Sequence, residues 1–347
     1  MTALLAALFA PGFAQSEAVR TALLAGGVVA AASACAGVFT VLRGQSFAGH
    51  ALADVTTTGG SGAYLVGVTP FWGFAALGIA AAGALELLGL RLPRGRDVAT
   101  GIVLGAATGL AALFLYLGTT LSSTTGAPIQ ILFGSLFVVS TGLVPVLVLL
   151  AALCIGLMLA LYRMLLLSAL SQEIAAARGI PVRAVGVVFL LVLALTVSLS
   201  AVTIGSVLST ALLIGPAATA LRLTARPGVA MVAAAVVGVL AVTVGVVLAY
   251  DSVAWPPHGH VWPVSFFIVA LVFLAYLASG VPSLARERRT QPPNAGTRAP
   301  HAPAEPPNAG TGAPYAPAEP PNAGTRAPYA PAEPPNAGTR APRRRRW

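Results

Sequence analysis

The sequence predicts an all-α polytopic membrane protein of about eight or nine transmembrane helices, followed by a disordered Pro-rich tail. Three observations predict it. Hydrophobic residues fill 57% of the 347 positions and charged residues only 9%, too few charges to clothe a water-facing surface. Apolar runs such as Ala184–Val202, Gly228–Tyr250 and Phe266–Val281 approach the roughly 20 residues that cross a hydrocarbon layer about 30 Å thick. Beyond Ser283 the composition changes, and the unit PPNAGT begins at Pro292, Pro306, Pro320 and Pro334. Three parts follow: an N-terminal membrane-surface segment (1–19), a transmembrane domain (20–283) and a basic Pro/Ala/Gly tail (284–347).

Each span is read from an apolar run between polar breaks. The runs lie at about 20–42, 45–60, 63–89, 98–117, 137–162, 184–203, 205–221, 228–250 and 264–283. The N-terminal stretch before them is apolar without the basic start of a signal peptide. Arg43, Arg91–Arg96, Arg163 with Arg178 and Arg183, Arg222 with Arg226, and Arg286–Arg289 fall at alternating turns. The positive-inside rule then puts those turns in the cytoplasm, with the N-terminus outside and the C-terminus inside. The tail has no apolar face, so it cannot bury enough surface to fold. Its Arg343–Arg346 run with Trp347 either touches anionic membrane lipid or is simply solvated.

Charge excludes some functions. Residues 1–283 hold ten Arg against six acids, and residues 284–347 ten against four. These bases sit in loops and a low-complexity end without aromatic platforms, which argues against nucleic-acid binding. The chain has no Lys, so it lacks the P-loop lysine that reaches nucleotide phosphates. Any ATP hydrolysis belongs to another chain. Cys35 and Cys154 both fall in apolar runs and read as packing rather than as a disulfide or thiolate site.

The second run is short: Gln45 to Thr58 is fourteen residues, about 21 Å as a helix. The break Gly59-Gly60-Ser61-Gly62 follows. A short Gly-interrupted helix lines a water-filled cavity, or it is an ordinary tilted helix with a Gly-rich turn. Gly101, Gly105 and Gly109 repeat every fourth residue, a spacing that lets another transmembrane helix approach.

Within the runs, His50 is the one histidine, and Asp54 and Glu86 the two acids, at membrane depth. His50 and Asp54 are four apart and share a helical face. Imidazole with carboxylate suits borderline divalent cations such as Zn²⁺ or Mn²⁺, and a conduit must bind weakly enough to release. The structural alternative is a His–Asp pair that only holds the helix. Glu86 lies five residues before Arg91 and pairs with it at the interface. His258 and His260, in an outer loop, attract metal transiently or fill the loop. In LSALSQEIAAARGIPV (167–182), Ser171 caps a short helix carrying Glu173 that ends at Gly179 before Pro181. It is a handle for a partner protein or a connecting loop.

At these residues the chain resembles the permeases of the zinc/manganese/iron branch of ABC importers. The family's GDALSHA looks like Gly49-His50-Ala51-Leu52-Ala53-Asp54-Val55 behind Arg43. Its LFGS is Leu132-Phe133-Gly134-Ser135, and its LS…E.A…G(I/L)PV runs through Leu167, Ser168, Glu173, Ala175, Gly179, Ile180, Pro181 and Val182. Its GxxLxxALLxxPAATA is carried by Gly205, Leu208, Ala211–Leu213 and Pro216–Ala220. Two departures stand out: His50 and Asp54 exchange the family's Asp and His, and the Arg after PAATA is displaced by one to Arg222.

The resemblance implies the permease fold shared with vitamin and siderophore importers. It implies a homodimer, two ATPase subunits, an extracytoplasmic metal-binding protein and a path between the two copies. It makes His50 and Asp54 the metal pair, with Ser171, Glu173, Ala175 and Gly179 docking the ATPase. Gly205 and Pro216 join the three spaced glycines as helix-packing positions. No cofactor is held permanently; the divalent metal is cargo, and the ligand types favour zinc. The competing readings are an ion-coupled secondary transporter, a siderophore- or vitamin-type ABC permease, and a scaffold acting through its tail.

Overall fold

The computed structural model describes residues 16–91, 96–122, 126–134, 136–255 and 262–290. Residues 1–15, Ser135, His258, His260 and the repeat tail fall outside them. The described chain is helical throughout. The long helices are α1 (Glu17–Leu42), α2 (Ser46–Leu65), α3 (Pro70–Arg91) and α4 (Arg96–Ser122). The short α5 (Gly126–Phe133) precedes α6 (Val144–Ala160), and α7 (Tyr162–Leu170) and α8 (Gln172–Ala177) form the middle connection. The last four are α9 (Val182–Ile204), α10 (Ser206–Leu223), α11 (Pro227–Asp251) and α12 (Val264–Thr290).

Among the described helices, six are long and apolar enough to cross a membrane: α1, α9, α10, α11, and the stretches Thr100–Leu121 and Thr141–Ala160. Pro70–Glu86 and Val264–Gly280 are shorter apolar helices. The helix α2 is outside that set because it carries His50, Asp54 and three threonines. By the length and composition of these helices the chain is a multi-pass membrane protein.

The helices α1 and α9 form the centre. Around α1 pack α11, α10, α6 and α9, while α9 also meets α3; α2 lies between α3 and α4, and α12 closes against α10 and α11. One apolar core runs through Val29, Phe39, Leu52, Phe189, Leu193 and Ala217. A second joins the first half of α1 to α11 and α12 through Val19, Val242, Val246 and Ile268. Hydroxyls inside this core are satisfied locally, as an apolar interior requires. Thr196 and Ser198 donate to carbonyls one turn back, and Ser33 bonds Ser200 at 2.6 Å to tie α1 to α9.

Three expectations are corrected. The run Gly59-Gly60-Ser61-Gly62 does not break α2, which continues to Leu65. Its glycines are a packing surface instead. A Cβ on Gly59 would stand 2.1 Å from the Gly73 carbonyl oxygen of α3, and one on Gly60 2.5 Å from the Phe74 ring. Close approach of two backbones, rather than a turn, demands these residues. Conversely, a Cβ on Gly101, Gly105 or Gly109 meets nothing within 4 Å. Among the described residues no other helix packs there. The final helix also runs to Thr290, past the expected boundary at Ser283.

Candidate metal site and coupling segment

The turn between α1 and α2 is not a loop at the end of the bundle. Gly37 of α1 packs on the backbone carbonyl of Leu213, and Gly49 of α2 on the Leu213 side chain. Leu213 is buried in the middle of α10, so α2 starts partway along the bundle. Arg43 occupies that turn. Its Nη1–H donates to Ser168 Oγ at 3.0 Å, and its guanidinium lies 5.1 Å over the Phe189 ring. Nη2 faces Glu86 Oε2 across Gly186, each 3.9 Å from where a Gly186 Cβ would stand. The turn at Arg43 is thus lined by protein partners, as a partly buried charge requires. Glu86 stands near Arg43, while its expected pairing with Arg91 falls outside the described side chains.

One turn further on, the geometry brings the two predicted ligands together. His50 Nε2 lies 3.7 Å from Asp54 Oδ2, with the side chains 50% and 27% exposed. His50 Nδ1 lies 3.3 Å from Thr210 Oγ1 on α10. Ser206 Oγ, one turn before Thr210, is buried without a partner, so that side of α10 carries two hydroxyls a turn apart. Among the described residues no group of three or more His, Cys, Asp and Glu is placed to hold a metal. The pair thus offers two donors and open coordination positions. A cation held by two such donors alone would be bound weakly.

The segment after Ser168 folds as a capped helix. Ser171 Oγ accepts the Ile174 N–H at 3.3 Å, starting Gln172–Ala177. The helix ends in Gly179 at φ +76, whose N–H donates to the Ala176 carbonyl. Glu173 is exposed on it, as is Ile174. Ala175 is fully buried against the chain, so it supports the helix and does not present its side chain for docking. Ser168, bonded to Arg43, stands one turn before this cap.

The other motifs are also placed. Gly134 and Gly205 touch backbone to backbone, and Pro216 is buried inside α10. The displaced Arg222 stacks on Tyr276 of α12 at 3.8 Å and donates to its hydroxyl. Sequence reasoning missed Thr210 and the Ser168 and Phe189 partners of Arg43, since each is brought in from more than 120 residues away. It did single out both glycine motifs, without their contact.

The comparisons with known proteins agree with this architecture. The family model described as the ABC 3 transport family matches residues 15–278. The manganese transport system membrane protein MntC of Listeria monocytogenes is 30% identical over 246 residues, covering 70% of this chain and 85% of that protein. The high-affinity zinc uptake system membrane protein ZnuB of Haemophilus influenzae is 26% identical over 242 residues, covering 69% and 92%. Among solved structures, PsaBC from Streptococcus pneumoniae in complex with Fab superposes with a TM-score of 0.66 at 22% identity. It covers 80% of this chain and 95% of that one, a likeness of fold. With the family model matching residues 15–278 of the 347, the chain belongs to the ABC 3 transport family.

Proposed function

We propose that this chain is the membrane-spanning subunit through which an ATP-driven importer passes a divalent metal ion, manganese or zinc, into the cell. The observation that carries this reading is the His50–Asp54 pair, 3.7 Å apart on one face of α2. The leaning toward zinc widens here, since one imidazole and one carboxylate suit both ions and similar proteins are named for each. Two copies supply four donors where one supplies two, so we place the path between the copies of a homodimer. The exchange of His and Asp relative to the family pattern keeps the donor set and reverses its order along the path.

A separate ATPase drives the cycle, because the chain lacks the P-loop lysine. It docks on α8, and an extracytoplasmic metal-binding protein delivers the ion at the opposite face. The Arg-rich ends, including Arg178, Arg183, Arg222 and Arg226, face the cytoplasm of the cell membrane, with the N-terminus outside. Residues 291–347 stand apart from transport, and truncation after Thr290 leaves uptake unchanged. The test is uptake of radiolabelled manganese and zinc by cells carrying His50→Ala or Asp54→Ala. Both variants insert, recruit the ATPase and lose transport. The exchanged variant, His50→Asp with Asp54→His, retains transport with an altered manganese-to-zinc ratio. Normal uptake in both alanine variants overturns the reading.

A further inference from the structure

We propose that Thr210 is the positioning residue that selects the metal-binding nitrogen of His50, so that cargo is held by Nε2 and not Nδ1. The inference rests on the reading of His50 and Asp54 as the transit site. A neutral imidazole has one nitrogen carrying hydrogen and one offering a lone pair, and only the lone pair binds a cation. His50 Nδ1 lies 3.3 Å from the Thr210 hydroxyl, while Nε2 faces Asp54 Oδ2 at 3.7 Å. With a metal on Nε2, the hydrogen must sit on Nδ1, and Thr210 Oγ1 accepts it. The opposite tautomer turns its N–H toward Asp54 and leaves no lone pair facing the carboxylate.

The distances favour a shared ion. Donors 3.7 Å apart, each about 2.1 Å from one cation, subtend an angle of ~120° at it, close to that of two ligands in an open tetrahedral site. Holding the second ring nitrogen is the means by which proteins orient a ligating histidine, and losing such a partner costs roughly 10- to 100-fold in affinity or activity. Here the partner comes from another helix. His50 is half-exposed, so no wall of core side chains holds the ring, and the bond to α10 supplies the missing constraint. Gly49 against Leu213 brings the two helices close enough for it.

The test uses the full chain with its ATPase in proteoliposomes, measuring uptake against manganese concentration. Thr210→Val keeps the shape and removes the acceptor; it raises KM at least about tenfold while the maximal rate stays within about twofold. Thr210→Ser restores KM. A KM unchanged in Thr210→Val, or a serine variant that behaves like valine, overturns the proposal. Nitrogen NMR of labelled histidine on the full chain loaded with zinc gives a readout independent of transport. It finds zinc on Nε2 and the hydrogen on Nδ1 of His50 in the wild type, and zinc on Nδ1 overturns the proposal. His50→Ala and Asp54→Ala run alongside. If they transport normally the site itself is wrong; if they fail while Thr210→Val is normal, only the role of Thr210 falls.

Discussion

Gly134 and Gly205 cross with their backbones in contact. A Cβ on Gly134 would stand 2.3 Å from the Ile204 carbonyl carbon, and one on Gly205 2.3 Å from that of Phe133. Both residues adopt positive φ, +68 and +101. This crossing pins the end of the short helix α5 to the junction of α9 and α10, five residues ahead of Thr210. Any side chain must displace backbone in a conformation that already disfavours it. Gly134→Ala and Gly205→Ala each cost roughly 2–4 kcal/mol, from the φ penalty and the clash together. Thermal unfolding in detergent reads this as a lowered midpoint. The double variant falls short of the sum, because both substitutions break one contact.

Arg43 is held by a hydrogen bond and an aromatic face at once, to Ser168 and Phe189. Arg43→Ala costs about 2–3 kcal/mol, from a charge-assisted bond and a cation–π contact. Arg43→Lys recovers less than half of that, since an ammonium lacks the planar fork that stacks and donates together. Unfolding midpoints of the two variants against wild type check the order. Equal midpoints for lysine and wild type defeat the claim.

The two sets of spaced glycines separate experimentally. Gly59→Ala drives a methyl into the Gly73 carbonyl of α3 and lowers both stability and membrane abundance. Gly105→Ala meets open space and leaves the chain as stable or more so, by up to about 1 kcal/mol of helix propensity. Thermal midpoints of the purified chain decide. A loss in Gly105→Ala would reveal a helix of a second copy against that face.

On α8, the helix proposed to dock the ATPase, Glu173 is exposed while Ala175 is buried. Glu173→Arg therefore leaves insertion and unfolding midpoint unchanged and reduces co-purification of the ATPase and metal uptake together. A charge-reversed variant that still recruits the ATPase and transports normally removes Glu173 from the interface. Ala175→Glu acts differently: it lowers stability, because it places a carboxylate in an apolar contact.

Much of this protein was legible in one dimension. Composition and apolar runs determined a helical membrane protein, because a bilayer leaves the backbone few alternatives to helices. Spacing four apart put His50 and Asp54 on one face, and Ser171 before a polar turn announced the capped α8; both are consequences of local helix geometry. The four motifs determined the family. What the sequence left open was every choice made between helices. Gly59 and Gly105 sit in similar small-residue patterns, yet only one meets a neighbouring backbone. That difference depends on which helices are adjacent, not on the local residues. Arg43 reads as a loop charge until the bundle encloses its turn beside Phe189. Thr210 is one hydroxyl among many until α10 lies against α2 and brings it within 3.3 Å of His50. Helix periodicity acts over a few residues, whereas these contacts join residues 125 and 160 positions apart, and only packing of the whole bundle selects them.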